Sequence, residues 1–270
     1  MTTTDNRESD GRFRVHYELP VTDILEQSEI LEPETWIGQH LTIRWTGDIH
    51  CAHTGKKIKK TYGDGLSYDA WMSSPSSVPS VIRPELSRIH EGIALRDEEW
   101  ERAHHLAPHY VYISWTGGLK VGVTRTTNMP YRWHDQGATA AIVLAEVPYR
   151  QLAGLMEVDL KPIFGDKTNY RAMLQEQAPE KEELLEAKDE ALEALGEAYE
   201  SFFSENDDVH EMVYPVSNYP EKITSVRLDK VNVLEAKLVG IKGQYLLFDN
   251  GQALNIRNHI GYRVEISRQN

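Results

Sequence analysis

The stretch from 109 to 164 limits the possible folds more than any other part of the chain. YVYISW (110–115) is a β-rich hexamer, Thr116-Gly117-Gly118 is a turn signal, and LKVGVT (119–124) is a second β-rich run, so the two read as a hairpin. Pro130 suits the first turn of a helix, where its missing N–H has no intrahelical partner to lose. That helix is expected to carry Tyr131, Arg132, Trp133 and His134 and to end near Gly137. AAIVLAEV (140–147) is an apolar run of strand length, as expected for a strand buried on both faces. Pro148 opens a further helix, in which Leu152, Leu155, Met156 and Leu160 recur at helical spacing until Pro162 stops it. The order β-β-α-β-α follows.

The flanks are organised differently. Residues 1–11 are polar and aperiodic and read as a disordered tail. FRVHYEL (13–19) and HLTIRW (40–45) are short β-like runs, and SSPSSVPSVIRPEL (73–86) has the composition of an irregular loop or linker. Leu184, Leu185, Leu192, Leu195, Tyr199 and Phe202 place one apolar stripe on a helix from 180 to about 203 whose other face is acidic. Beyond about Val213, apolar runs on either side of Asp249-Asn250-Gly251 indicate a hairpin within a small antiparallel sheet or barrel. The expected organisation is α+β: a tail (1–11), a β-rich N-terminal module (12–100), the central domain (101–176), an acidic amphipathic helix (177–212) and a C-terminal β module (213–270).

Composition narrows the chemistry. A single cysteine, Cys51, excludes an internal disulfide and an all-cysteine zinc site within one chain. No run approaches the roughly 18–20 apolar residues that span a bilayer, and the polar N-terminus lacks a signal-peptide apolar segment, so a cytoplasmic protein without a membrane partner is expected. The formal charge is −13, but residues 180–211 hold 13 acidic and 2 basic residues, whereas 108–176 hold 7 basic and 6 acidic. A site in the central domain can therefore still receive an anion.

The run HYVYISWTGGLKVGVTRTTNMPYRWHDQGA (109–138), followed by a strand and a helix bearing Glu157, resembles the GIY-YIG nuclease superfamily in motif letters and in element order. The wider pattern of KVGVTR, RWHDQGA, KTNYR and GIKGQYL is similar to an uncharacterised bacterial family of domains of unknown function, whose N-terminus carries a Cys-rich zinc ribbon. The nuclease resemblance implies a divalent-metal-dependent endonuclease that cleaves phosphodiesters in DNA or RNA. It implies Tyr112 at the first strand tyrosine, Arg132 as the helix arginine that balances phosphate charge, and Glu157 as the glutamate that holds Mg²⁺ or Mn²⁺. At the second tyrosine, the position of the general base, this chain has Lys120. A lysine grips phosphate as a point charge and accepts a proton only where burial or a neighbouring cation lowers its pKa by several units. Arg125 joins Lys120 and Arg132 as a phosphate-binding candidate.

Each residue also has a plainer reading. Tyr112 can be a packing tyrosine, Arg132 a surface partner of Trp133, and Glu157 one half of a structural ion pair with Arg132 or Arg125. The same fold then serves as a catalytically inactive nucleic-acid-binding or interaction module. Lys56, Lys57, Lys59 and Lys60 form the densest basic cluster and are a candidate nucleic-acid arm or a solvated hairpin flank. His50, Cys51 and His53 stand where the resembling family has ribbon cysteines, but Thr54, Ser67 and Ala70 replace the other ligands. A degenerate ribbon without zinc is expected, and His104, His105 and His109 are read as surface or capping residues.

Overall fold

The computed structural model describes residues 1–22, 27–175 and 178–269. The first half of the chain runs through β1 (Thr2–Arg7), β2 (Phe13–Thr22), β3 (Ser28–Leu31), β4 (His40–His50), β5 (Lys57–Ile58), α1 (Tyr68–Ser73) and α2 (Glu98–His105). The central segment follows the expected order, with β6 (His109–Trp115), β7 (Leu119–Arg125), α3 (Tyr131–Gln136), β8 (Ala140–Val147) and α4 (Arg150–Phe164). The remainder holds α5 (Tyr170–Met173), α6 (Lys181–Leu195), β9 (His210–Val213), β10 (Thr224–Val226), α7 (Leu228–Val231), β11 (Val233–Lys242), β12 (Tyr245–Phe248), β13 (Gln252–Asn255) and β14 (Tyr262–Gln269). The fold is mixed α+β and separates into two units, one of residues 1–74, 174–176 and 213–270 and one of 75–173 and 177–212.

In the first unit, β2 alternates buried Val15, Tyr17 and Leu19 with more exposed neighbours and pairs antiparallel with β1 and β3. The expected disordered tail is thus corrected. Thr2–Arg7 needs no apolar face because main-chain bonds hold an edge strand, and polar side chains suit an edge. A second sheet has the order β10-β13-β12-β11-β4-β14, with β5 on β4. Its β4 comes from the expected N-terminal module and lies between β11 and β14 of the expected C-terminal module. The two modules are therefore one unit, since each supplies strands that leave the other's backbone groups unpaired without it. The Asp249-Asn250-Gly251 turn joins β12 to β13 as expected, with Gly251 at φ 79°.

The second unit has the strand order β7-β6-β8-β9, all antiparallel. Val111, Ile113, Val121, Ile142 and Leu144 from its strands pack with Met156, Leu160 and Phe164 of α4 and with Leu184, Ala191 and Leu195 of α6. Two helices depart from expectation. α4 runs through Pro162 to Phe164, where a proline in the last turn removes little, and the Gly165 N–H closes the end on the Lys161 carbonyl at 3.0 Å. The acidic helix stops at Leu195 because Gly196 takes φ 68°, and 197–202 continue as a tighter 3₁₀ turn. The buried Lys188 ammonium anchors the returning chain, donating at 2.8 Å to the Ser204 and Asn206 carbonyls and to Asp207. The start expected for that segment, residue 177, lies outside the described residues.

The Ser/Pro stretch is irregular, as expected, but is no linker. Four 3₁₀ turns (75–77, 79–81, 84–86 and 89–91) fold it into the second unit, with Val78, Ser80 and Ile89 buried. It packs on α4. The Arg150 guanidinium donates from Nε to the Ser80 carbonyl (2.7 Å) and from Nη2 to the Val81 carbonyl (2.8 Å), and Gly154 lets the Pro84–Glu85 backbone approach the helix. A Cβ at Gly154 would lie 2.3 Å from the Glu85 nitrogen and 2.6 Å from the Pro84 carbonyl carbon.

Helix propensity alone favours Gly154→Ala by about 1 kcal/mol. The clash is with backbone, however, and overpacking of that kind costs about 1–3 kcal/mol or more. Gly154→Ala is expected to lower stability by about 1–2 kcal/mol in a denaturant titration. A stabilised variant would show that the strap does not pack on α4.

Candidate functional site

The β6–β7 register sets Tyr112 opposite Gly122 and Ser114 opposite Lys120. A Cβ at Gly122 would fall 2.7 Å from the Tyr112 Cζ and hydroxyl, so the glycine is what admits the tyrosine ring. Tyr112 is fully buried and meets Trp133 of α3 edge to face, with ring centroids 5.9 Å apart. α3 brings Arg132 to the same place. With the Gln136 amide oxygen turned toward its donors, it accepts from Arg132 Nε (2.9 Å) and Nη2 (3.1 Å) and from the Tyr112 hydroxyl (3.2 Å). Arg132 itself stays exposed while its fork is fixed from behind.

The electrostatics of these groups are mutual. Burial pushes the Tyr112 hydroxyl above its usual range, against the opposing pull of Arg132 and Gln136. Burial first, and then the Arg132 charge, bring Lys120 down to about 8, while Glu157 and Asp166 act the other way. Its Nζ donates to the Thr168 hydroxyl at 3.2 Å. The Glu157 carboxyl is raised by burial and by Asp166, against the pull of Lys161 and Arg150. Its side chain is 12% exposed, and Lys161 approaches it only to 3.6 Å while also facing Asp166 at 3.4 Å. Arg150 comes down to about 10 through burial and the neighbouring Arg132 and Arg125, with Glu157 opposing, and therefore remains a cation at neutral pH.

Tyr112, Lys120, Arg132 and Glu157, distant in sequence, are thus within electrostatic reach of one another. Arg125, at the end of β7, is tied by its Nη2 to Asn128 (3.5 Å) and acts on Arg150. The ion pair expected as the plainer reading of Glu157 forms with Lys161, one helical turn along α4, and not with Arg132 or Arg125. Sequence reasoning missed Arg150, Gln136, Thr168, Lys161 and Asp166. Gln136 was accessible to it, because it follows Arg132 by four residues on one helix. Arg150 was not, because its partners are carbonyls about 70 residues away.

Lys56, Lys57, Lys59 and Lys60 lie in the other unit, on β5 and on either side of it, and all are exposed. Lys57 pairs with Asp48. Nearby, the buried Cys51 sulfur accepts from the Ser67 N–H at 3.2 Å. Burial raises this thiol, but the Thr54 hydroxyl and the amides of Ser67, Thr54 and His53 outweigh it and bring it to about 6. His104, His105 and His109, expected as surface or capping residues, have structural partners. His104 Nδ1 meets the Trp100 carbonyl (2.7 Å), His109 Nδ1 the Ala107 carbonyl (2.7 Å), and His105 Nδ1 the Ser87 hydroxyl (3.3 Å). His105 and His109 are buried rather than superficial, and burial lowers them to about 3 and about 4.

A family model described as protein of unknown function (DUF2797) matches residues 38–264, and the chain belongs to that family. No curated protein and no solved structure matches it. Among the described residues, no helix is long and apolar enough to cross a membrane.

The Lys120 ammonium gives a direct test of the cluster. In protein whose lysines carry ¹³C-methyl labels, the resonance that disappears in Lys120→Met is expected to titrate near pH 8, well below the usual lysine value. A midpoint above 10 would mean that Lys120 is solvated and apart from Arg132.

Proposed function

We propose that this DUF2797 member is a metal-dependent nuclease of GIY-YIG-like design, cleaving phosphodiesters in DNA or RNA through the cluster around Glu157. The observation that carries the reading is that an exposed arginine, a depressed lysine and a weakly paired carboxylate, Arg132, Lys120 and Glu157, lie within electrostatic reach of one another. The carboxylate also fits a cation: its one close ammonium is long and shared with Asp166, so a competing cation has little to displace. Glu157, with Asp166 across Lys161, would hold Mg²⁺ or Mn²⁺, which when bound neutralises charge at the scissile phosphate.

The chain's own groups supply the rest. Arg132, its fork held by Gln136, presents its cationic end to a phosphate oxygen, where charge grows in the transition state. Lys120 meets the requirement that a lysine base carries: burial and a nearby cation bring it to about 8, so a minority neutral form at pH 7 can take the proton of an attacking water. Thr168 orients that nitrogen. Tyr112 acts as a positioning residue, since its ring is fully buried and its proton is committed to Gln136. The same burial favours the second reading, a catalytically inactive nucleic-acid-binding module, because it leaves Lys120 as the base.

With mixed DNA and RNA oligonucleotides and Mg²⁺ or Mn²⁺, cleavage is expected, and Arg132→Ala and Glu157→Gln should each lower it by about a hundredfold or more. The value of kcat/KM should climb with pH and level off above about 8, as the free enzyme's base loses its proton. Binding without products in the parent protein favours the module; products that persist in Glu157→Gln expose a contaminating nuclease.

A further inference from the structure

We propose that Tyr62, Tyr68 and Trp71 of the first unit, together with Lys59 and Lys60, form a platform that binds single-stranded nucleic acid. The assignment builds on the nucleic-acid reading above and adds the strandedness of the ligand. The platform rests on a turn that the Cys51 segment organises. The Ala52 N–H bonds the Gly65 carbonyl (2.9 Å), Tyr62 and Leu66 exchange backbone bonds at 2.8 and 2.9 Å, and Ser67 caps α1 by accepting from the Ala70 N–H (3.2 Å). These bonds fix three rings together. Tyr62 stacks on Trp71 with centroids 6.0 Å apart and planes 25° apart, and Tyr68 meets Tyr62 edge-on at 5.2 Å. Trp71 in turn lies against Gly63, where a Cβ would come within 3.1 Å of its Cδ1, so the backbone forms the floor beneath the indole.

Three aromatic rings gathered for packing alone would be covered, yet Tyr68 is 53% exposed and the adjacent Met72 45% exposed. The balance of charge around them is slightly positive, with Asp69 beside Tyr68 the acidic exception. The Lys60 ammonium stands 5.0 Å from the centre of the Tyr62 ring. From Asp48 to Met72 there are four lysines and three carboxylates. Two of those carboxylates are already engaged, Asp48 by Lys57 and Asp64 by Arg257 at 2.8 Å. A lysine beside half-exposed rings, with exposed Lys59 next to it in the chain, matches a polyanion whose flat bases can leave their own stack, which describes a single strand and not a duplex. A purely apolar partner would leave those lysines without counterions.

Binding is to be measured on the full chain by fluorescence anisotropy with a labelled oligothymidylate 12-mer and a duplex of equal length, in chelator so that nothing is cut. The single strand is expected to bind at least about tenfold more tightly. Tyr68→Ala should weaken it about tenfold, Tyr68→Phe should retain it, and neither should change its salt dependence. Lys59→Gln with Lys60→Gln should instead flatten the slope of log K against log salt by about 1.4, two contacts at roughly 0.7 each. Equal affinity for the duplex, or parent affinity in Tyr68→Ala, overturns the proposal. Because metal is withheld, failure here leaves the nuclease reading standing. Failure of cleavage with metal likewise leaves the platform standing.

Discussion

The Arg150 guanidinium is the point at which packing and electrostatics in the second unit depend on each other. Its Nε and Nη2 are spent on two carbonyls of the Ser/Pro strap, which fastens an irregular stretch onto the first turn of α4. Burying a cation is costly unless its donors are satisfied and a countercharge is near. Here the carbonyls satisfy the donors and Glu157, seven residues along the same helix, supplies the countercharge. The strap, the helix and the carboxylate are therefore held by one group, and losing it would leave a raised carboxyl with one distant ammonium.

The second constraint is steric. Gly122 opposite Tyr112 lets a full aromatic ring enter the hairpin, and the ring's hydroxyl fixes Gln136, which fixes Arg132. Three elements are thereby locked through one side chain: β6 supplies the ring, β7 the space and α3 the amide and guanidinium. The same arrangement brings Arg132 near Lys120 and contributes to its depressed pKa. A lysine at this position therefore differs in chemistry from one on a solvated strand. The guanidinium that receives the phosphate in the proposed reaction also tunes the neighbouring amine.

Local pattern carried much of this fold, and long-range pairing the rest. The hairpin, the buried strand 140–147 and both flanking helices follow from alternation, turn residues and helical spacing, each of which is written in adjacent residues. The union of the N- and C-terminal β segments did not, because β4 meets β11 and β14 across about 190 residues and more, and no local signal encodes that pairing. Thr2–Arg7 misled for a different reason, since an edge strand held by main-chain bonds needs no apolar periodicity. The Ser/Pro stretch misled because proline density marks irregular backbone and says nothing about whether that backbone packs. Of the candidate site, the four residues carried by motif position lie within electrostatic reach of one another. Those supplied by tertiary approach, Arg150 and Thr168 above all, were invisible because their roles are set by partners on other elements.

Net charge is a poor guide to such a chain because the charges are segregated. The acidic stretch 180–211 contributes most of the total of −13, and along α6 its carboxylates face solvent on one side of a helix whose other side is core. Exposed carboxylates lose their reach within about 8–10 Å at physiological salt. Apart from the exposed Asp166, the groups that set the field at Glu157 are instead partly buried, where screening is weaker, and Lys120, Arg150 and Lys161 are cations there against Glu157 and Asp166. What an anion meets at that cluster is decided by five neighbouring side chains, to which Arg132 adds an exposed fork. A strongly acidic protein can therefore keep a site whose local balance favours phosphate.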